Sequence, residues 1–179
     1  MKARGAARAL GLGIGLAAAT FALDQATKFY IFQTLDLSER GPIALLPILD
    51  LSFVWNHGIS LGMFQQGSEA GRWVLVLLEL AAVLLILFWM ARTRSLLTTV
   101  ALGLVAGGAV GNAVDRAVFG AVRDFLHLHG GDIRWLDFPY IFNVADSGIS
   151  LGVALLIIES LFAGADQKSG ALEPGRDSR

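Results

Sequence analysis

The chain has 179 residues, 55% of them hydrophobic and only 16% charged, with a mean hydropathy of +0.62, which excludes a soluble, disordered or fibrous protein. A formal net charge of -1 gives no case for nucleic acid as a partner. The lack of cysteine excludes a disulfide framework, a thiol nucleophile and a cysteine-ligated metal. The apolar residues gather into four blocks, each near the ~20 helical residues that cross a hydrocarbon core of about 30 Å.

The first block covers residues 9–32 and carries Asp24, Gln25 and Lys28 in its distal half. Its basic start and the small residues Ala17, Ala18 and Ala19 also fit a secretory signal peptide. Apolar character resumes through residues 29–32, however, so an uncleaved span is the expectation. Beyond it, Asp50-Leu51-Ser52-Phe53-Val54-Trp55 partly alternates and predicts a short strand ending at the turn-prone Asn56-His57-Gly58. The second block, 73–91, is interrupted only by Glu79, for which the sequence offers no partner.

The third block, 95–119, has glycines at 103, 107 and 111, a smooth strip on which another helix can pack. Asn112, Asp115 and Arg116 follow at i, i+3 and i+4. Arg123-Asp124-Phe125 is then expected in a loop, and residues 132–139 as a second short extended piece. The fourth block, 140–165, opens with Asn143, Asp146, Ser147 and Ser150 on one expected helix face and carries Glu159 near its end, where it can snorkel. Residues 166–179 read as a disordered cytoplasmic tail, and residues 1–165 as a single domain.

The fold class is thus an all-α membrane protein of four transmembrane helices, with a small β-containing periplasmic segment between helices 1 and 2. Lys2, Arg4 and Arg8, then Arg92 and Arg94, then Lys168, Arg176 and Arg179 flank the spans on one side, which puts both termini in the cytoplasm. With that orientation Asp24 and Lys28, then Asn112, Asp115 and Arg116, then Asn143 and Asp146 all reach one level in the outer half of the bilayer. Ionisable groups there cost on the order of 2.5–3.5 kcal/mol, so they mark function by default.

Plainer roles compete. Asp24 and Lys28 suit a neutralising pair, Asp115 and Arg116 a helix-end ion pair, and Asn112 and Asn143 interhelical hydrogen bonds. Asp146 has no Lys or Arg at helical spacing and points more directly to chemistry. His127 and His129 do not suggest a metal, because alternate residues on a helix point apart and no third ligand is evident. Two close carboxyl groups sharing one proton can activate water and protonate a carbonyl oxygen, which is aspartic peptidase chemistry. On depth and spacing alone, Asp115 and Asp146 are about equally good candidates and Asp124 comes third.

Taken together, Asp24-Gln25-Ala26-Thr27-Lys28, Asn56-His57-Gly58-Ile59-Ser60, the run from Gly107 through Asn112 to Asp115-Arg116, Arg123-Asp124-Phe125 and Phe142-Asn143-Val144-Ala145-Asp146-Ser147 resemble bacterial lipoprotein signal peptidase, or signal peptidase II. The resemblance implies that Asp124 and Asp146 are the catalytic pair and that Asp24, Lys28, Asn56, Gly58, Asn112, Asp115, Arg116 and Asn143 line or brace the site. It implies no metal and no cofactor. The implied substrate is a prolipoprotein cut just before a diacylglyceryl-modified cysteine, with membrane lipids as the other partners and a monomeric enzyme at the inner membrane, its site near the periplasmic face. Three features depart from the family pattern: Leu61 where Phe is usual, Arg123 where an apolar residue is usual, and a slightly long stretch over 127–137. The rival readings are a proton-coupled transporter, since buried aspartates also relay protons, and a non-catalytic helical scaffold.

Overall fold

The structure, a computed structural model, describes residues 2–58, 68–129 and 140–171. Helix α1 (Lys2–Phe29) runs into a single π-helical stretch at Tyr30–Thr34 and a short helix α2 (Leu37–Arg40). Strands β1 (Ile43–Leu46) and β2 (Leu49–Asn56) follow, then α3 (Glu69–Arg92), α4 (Leu96–Phe119), β3 (Val122–Leu128), β4 (Ile141–Phe142) and α5 (Val144–Ala171). Among the described residues four helices are long and apolar enough to cross a membrane: Ala7–Thr34, Glu69–Arg92, Leu96–Phe119 and Val144–Phe162.

The helix ends are written locally. The Ser68 hydroxyl accepts from the Gly71 N–H at the start of α3, and Ser95 does the same for Thr98 at the start of α4. Helix α4 stops at Gly120, whose N–H donates to the Arg116 carbonyl at 3.0 Å and whose left-handed φ of 85° then turns the chain out of the helix. That turn releases the chain directly into β3.

Helix α4 is the central element, and far more of it is buried than of the other three spans. Its glycine strip does what the spacing predicts. Gly103 lies so close to α1 that a Cβ there would stand 2.7 Å from the Gly13 carbonyl oxygen, and Gly107 meets the Ala17 carbonyl in the same way. On the opposite side α5 closes in through Gly152, where a Cβ would stand 2.6 Å from the Ala101 carbonyl oxygen. We therefore expect Gly103→Ala to push α1 and α4 apart and cost about 1–3 kcal/mol, read as a lower thermal midpoint in detergent. Gly15→Ala, with nothing within 4 Å of its Cβ position, should leave the midpoint unchanged.

The sheet is antiparallel in the order β1-β2-β3-β4. The strand expected over 50–55 is present as β2. The expected location of the β structure needs correction, because β3 and β4 come from the segment between the third and fourth spans. Arg123-Asp124-Phe125 is strand, not loop, with Val54 opposite Asp124 and Trp55 opposite Arg123. Both faces of β3 are buried over its first four residues, and its adjacent charged residues hide the alternation that marks a half-exposed strand. The piece expected over 132–139 lies outside the described residues. Helix α5 starts at Val144, not at 140, and continues past 165 to Ala171.

Ile31, Leu37, Leu51 and Phe125 form a buried cluster that seats the sheet on the end of α1. Phe32 and Phe53 extend it edge to face, with ring centroids 4.8 Å apart. The sheet therefore caps the end of the bundle where α1 and α4 finish and α5 begins.

Candidate active site

At that capped end, α1 contributes Asp24, Gln25 and Lys28. Asp24 and Lys28 are fully buried, as is Asp115 on α4. The Lys28 ammonium has three N–H groups and finds three acceptors: Asp24 Oδ2 at 2.9 Å, Asp115 Oδ2 at 3.1 Å and Asn112 Oδ1 at 3.2 Å. Asp24 spends its other oxygen on the Ala145 backbone N–H at 2.9 Å, which docks the first turn of α5 against α1.

Asn143 immediately precedes α5, and the Asn143-Val144-Ala145-Asp146 run is a reciprocal cap. The Asn143 side-chain oxygen accepts from the Asp146 N–H at 2.9 Å, and the Asn143 N–H donates to Asp146 Oδ2 at 3.3 Å. Asn143 Nδ2 also donates to Asp124 Oδ1 at 2.6 Å and to Asn112 Oδ1 at 3.2 Å. One residue thus holds both Asp124 and Asp146. Asn112 Nδ2 donates to Asp146 Oδ1 at 2.9 Å, and Asn56 Nδ2, from the end of β2, donates to Asp124 Oδ2 at 3.0 Å. Asp124 and Asp146 are 1% and 8% exposed.

The structure brings together Asp24, Lys28, Asn56, Asn112, Asp115, Asp124, Asn143 and Asp146 in one hydrogen-bonded cluster. Gly58 and Arg116 stand beside it: Arg116 donates to the Gly58 carbonyl and pairs with Glu79 on α3. The expected Asp115–Arg116 ion pair is absent. Neighbouring residues on a helix point about 100° apart, so Asp115 faces α1 and Arg116 faces α3. Glu79 thereby gains the partner that the sequence did not show, and its depth in an otherwise apolar span was the signal for one.

Ser150 is exposed and takes no part, while the Ser147 hydroxyl bonds the Asn143 carbonyl at 2.9 Å. Gln25 and Arg123 join the cluster unforeseen, Gln25 through Asp24 and Asp115 and Arg123 through Asp115. Glu159 accepts from the Thr98 hydroxyl at the far end of the bundle. His127 and His129 lie on and just beyond β3, not on a helix; their rings are 5.6 Å apart, and His129 Nε2 is 3.2 Å from Asp50 Oδ2. Among the described residues no group of three His, Cys, Asp or Glu side chains is arranged to hold a metal ion.

These features define a polytopic membrane protein with a buried site of carboxylates and amides at one end of its bundle. Comparison with known proteins places it further. The sequence model of signal peptidase (SPase) II matches residues 16–162. A lipoprotein signal peptidase of Methylobacterium sp. (strain 4-46) is 51% identical over 158 residues, covering 88% of this chain and 93% of that protein. One from Methylorubrum extorquens (strain PA1) is 52% identical over 143 residues, covering 80% and 81%.

Two solved structures described as bacterial membrane enzymes share the fold. One, at TM-score 0.71 and 21% identity, covers 94% of this chain and 95% of its own. The other, at TM-score 0.70 and 28% identity, covers 84% and 93%. The chain belongs to the signal peptidase II family: it is a bacterial membrane peptidase of the aspartic class, which removes signal peptides from prolipoproteins. The transporter and scaffold readings are set aside on that ground.

Proposed function

We infer that this chain cleaves prolipoproteins just before a diacylglyceryl-modified cysteine, with Asp124 and Asp146 as the catalytic pair and one water as the nucleophile. The observation that carries the assignment is the double hold of Asn143 on both carboxyl groups. Asp115, an equal candidate on spacing, is instead engaged by Lys28, Arg123 and Gln25, which suits bracing and not proton transfer. Asn56, Asn112 and Asn143 aim neutral amide donors at the pair, so they orient the carboxyl groups without fixing either one as permanently ionised.

Burial pushes the Asp124 carboxyl up to about 7, and the charge of Asp146 adds to the effect. We therefore assign Asp124 the role of proton donor. Asp146 serves as the base, taking a proton from water as the water oxygen attacks the scissile carbonyl carbon, and Asp124 protonates the carbonyl oxygen. Collapse of the resulting gem-diol breaks the C–N bond, and a proton passes to the departing amine.

The direction of the Asp124 shift fixes the sign of the pH dependence. A carboxyl that holds its proton above its ordinary 3.8 stabilises the fold most below about pH 4, and that contribution is lost as pH rises through about 7. The proton donor is lost over the same upper range. We expect kcat/KM to decline on the alkaline side with a midpoint near pH 7, measured on a lipid-modified prolipoprotein in detergent; a flat profile from about pH 6 to 9 would remove Asp124 from the donor role.

The basic flanks support cytoplasmic termini, and with them a site near the periplasmic face, where a lipid-anchored peptide presents its scissile bond. Residues 1–165 then act as one monomeric peptidase domain, followed by the C-terminal end of α5 and the tail.

A further inference from the structure

Arg123 is unused in the chemistry above, yet its side chain is buried beside the reacting residues. Successive strand residues point to opposite faces, so Arg123 turns away from Asp124 and toward the ends of α1 and α4. Its Nε donates to Asp115 Oδ2 at 3.1 Å and its Nη2 to Asp115 Oδ1 at 2.6 Å, a two-pronged grip. The same Nη2 reaches Gln25 Oε1 at 3.3 Å, and the guanidinium carbon lies 4.2 Å from the Phe119 ring centroid and 5.5 Å from that of Phe32. The Arg123 backbone N–H also donates to Asp115 Oδ2 at 3.0 Å.

The charges around the site can be paired off. Asp24 and Asp115 are matched by Lys28 and Arg123, and Glu79 on α3 by Arg116 on α4. Asp124 on β3 and Asp146 on α5 accept from the amides of Asn56, Asn112 and Asn143. Without the Arg123 charge, Lys28 would be shared among more carboxylates than it can neutralise.

We propose that Arg123 is a positioning residue for the peptidase reaction: its clamp on Asp115 fixes the start of β3, and so the place of Asp124, and its charge offsets Asp115 so that Lys28 is not its only counter-ion. This rests on the assignment of Asp124 and Asp146 as the catalytic pair. Loss of the charge makes the site more negative and ionisation of Asp124 harder, while the backbone bond to Asp115 survives any substitution except proline.

The test is the pH profile of kcat/KM for the full-length enzyme in detergent, with a diacylglyceryl-modified prolipoprotein as substrate. Arg123→Leu should move the alkaline limb upward by about one pH unit. It should also lower kcat at pH 7 about tenfold with KM within about twofold, because Arg123 acts through Asp115 and not on substrate. Arg123→Lys keeps the charge and loses the fork, so its limb should stay in place while kcat falls. A limb unmoved in Arg123→Leu, or moved as far in Arg123→Lys, overturns the proposal. Where the leucine variant yields no folded enzyme, Arg123→Gln carries the same expectation, and an unmoved limb there overturns it equally. Asp124→Asn and Asp146→Asn run in parallel: activity surviving in them refutes the catalytic pair itself, whereas their inactivity together with an unmoved limb refutes only the role of Arg123.

Discussion

Asp124→Asn and Asp146→Asn should each reduce turnover by roughly 10³-fold or more, while the purified proteins still fold and unfold near the temperature of the parent. Both halves of that expectation follow from the site. An asparagine amide has the shape of the carboxyl but only one acceptor oxygen, so it keeps one of the two bonds each carboxyl accepts, from Asn143 and Asn56 at Asp124 or from Asn112 and the Asn143 N–H at Asp146, and loses the other. It can neither take a proton from water nor give one to a carbonyl oxygen. It also cannot ionise, so it escapes the desolvation cost of a charge at a position only 1% or 8% exposed and the repulsion that arises when both carboxyls are charged, which offsets the lost bond. Single-turnover cleavage of a lipid-modified prolipoprotein measures the first effect and thermal unfolding in detergent the second. Normal turnover in either variant would end the assignment, and a variant both inactive and strongly destabilised would point to a structural carboxylate.

Lys28→Met should have the opposite signature, with most of its effect on the fold. The ammonium is fully buried and serves Asp24, Asp115 and Asn112 at once. Removing one member of a buried ionic group leaves the other charges uncompensated, at a cost of about 3–5 kcal/mol. The yield of folded protein and the unfolding midpoint should both fall sharply. Adding Asp24→Asn should recover a substantial part of the loss, since it withdraws one of the stranded charges and still leaves an oxygen for the Ala145 N–H. Full additivity of the two substitutions would mean that Lys28 and Asp24 do not act as a unit.

The contrast between these variants reflects two layers. Asp124 and Asp146 accept from neutral amides, and Asp24 and Asp115 form ion pairs with Lys28 and Arg123. On the proposed assignment the inner layer does the chemistry and the outer one holds three helices and a strand in place.

Much of this was legible in the sequence because the relevant physics is local or imposed by lipid. A bilayer demands about 20 apolar residues per span, so the four spans and the unusual depth of Asp24, Lys28, Asn112, Asp115 and Asp146 could be read directly. The alternation over 50–55 likewise marked β2, and the four-residue glycine spacing marked the packing face of α4. What the tertiary structure alone decided was who meets whom. Spacing fixes which residues share a face of one helix, but not how that helix is rotated toward its neighbours, so Arg116 turned out to serve Glu79 while Asp115 served Lys28 and Arg123. Strand pairing is equally non-local: β3 exists because β2, distant in sequence, lies beside it, and only that register brings Asp124 out of its expected loop to the Asn143 amide.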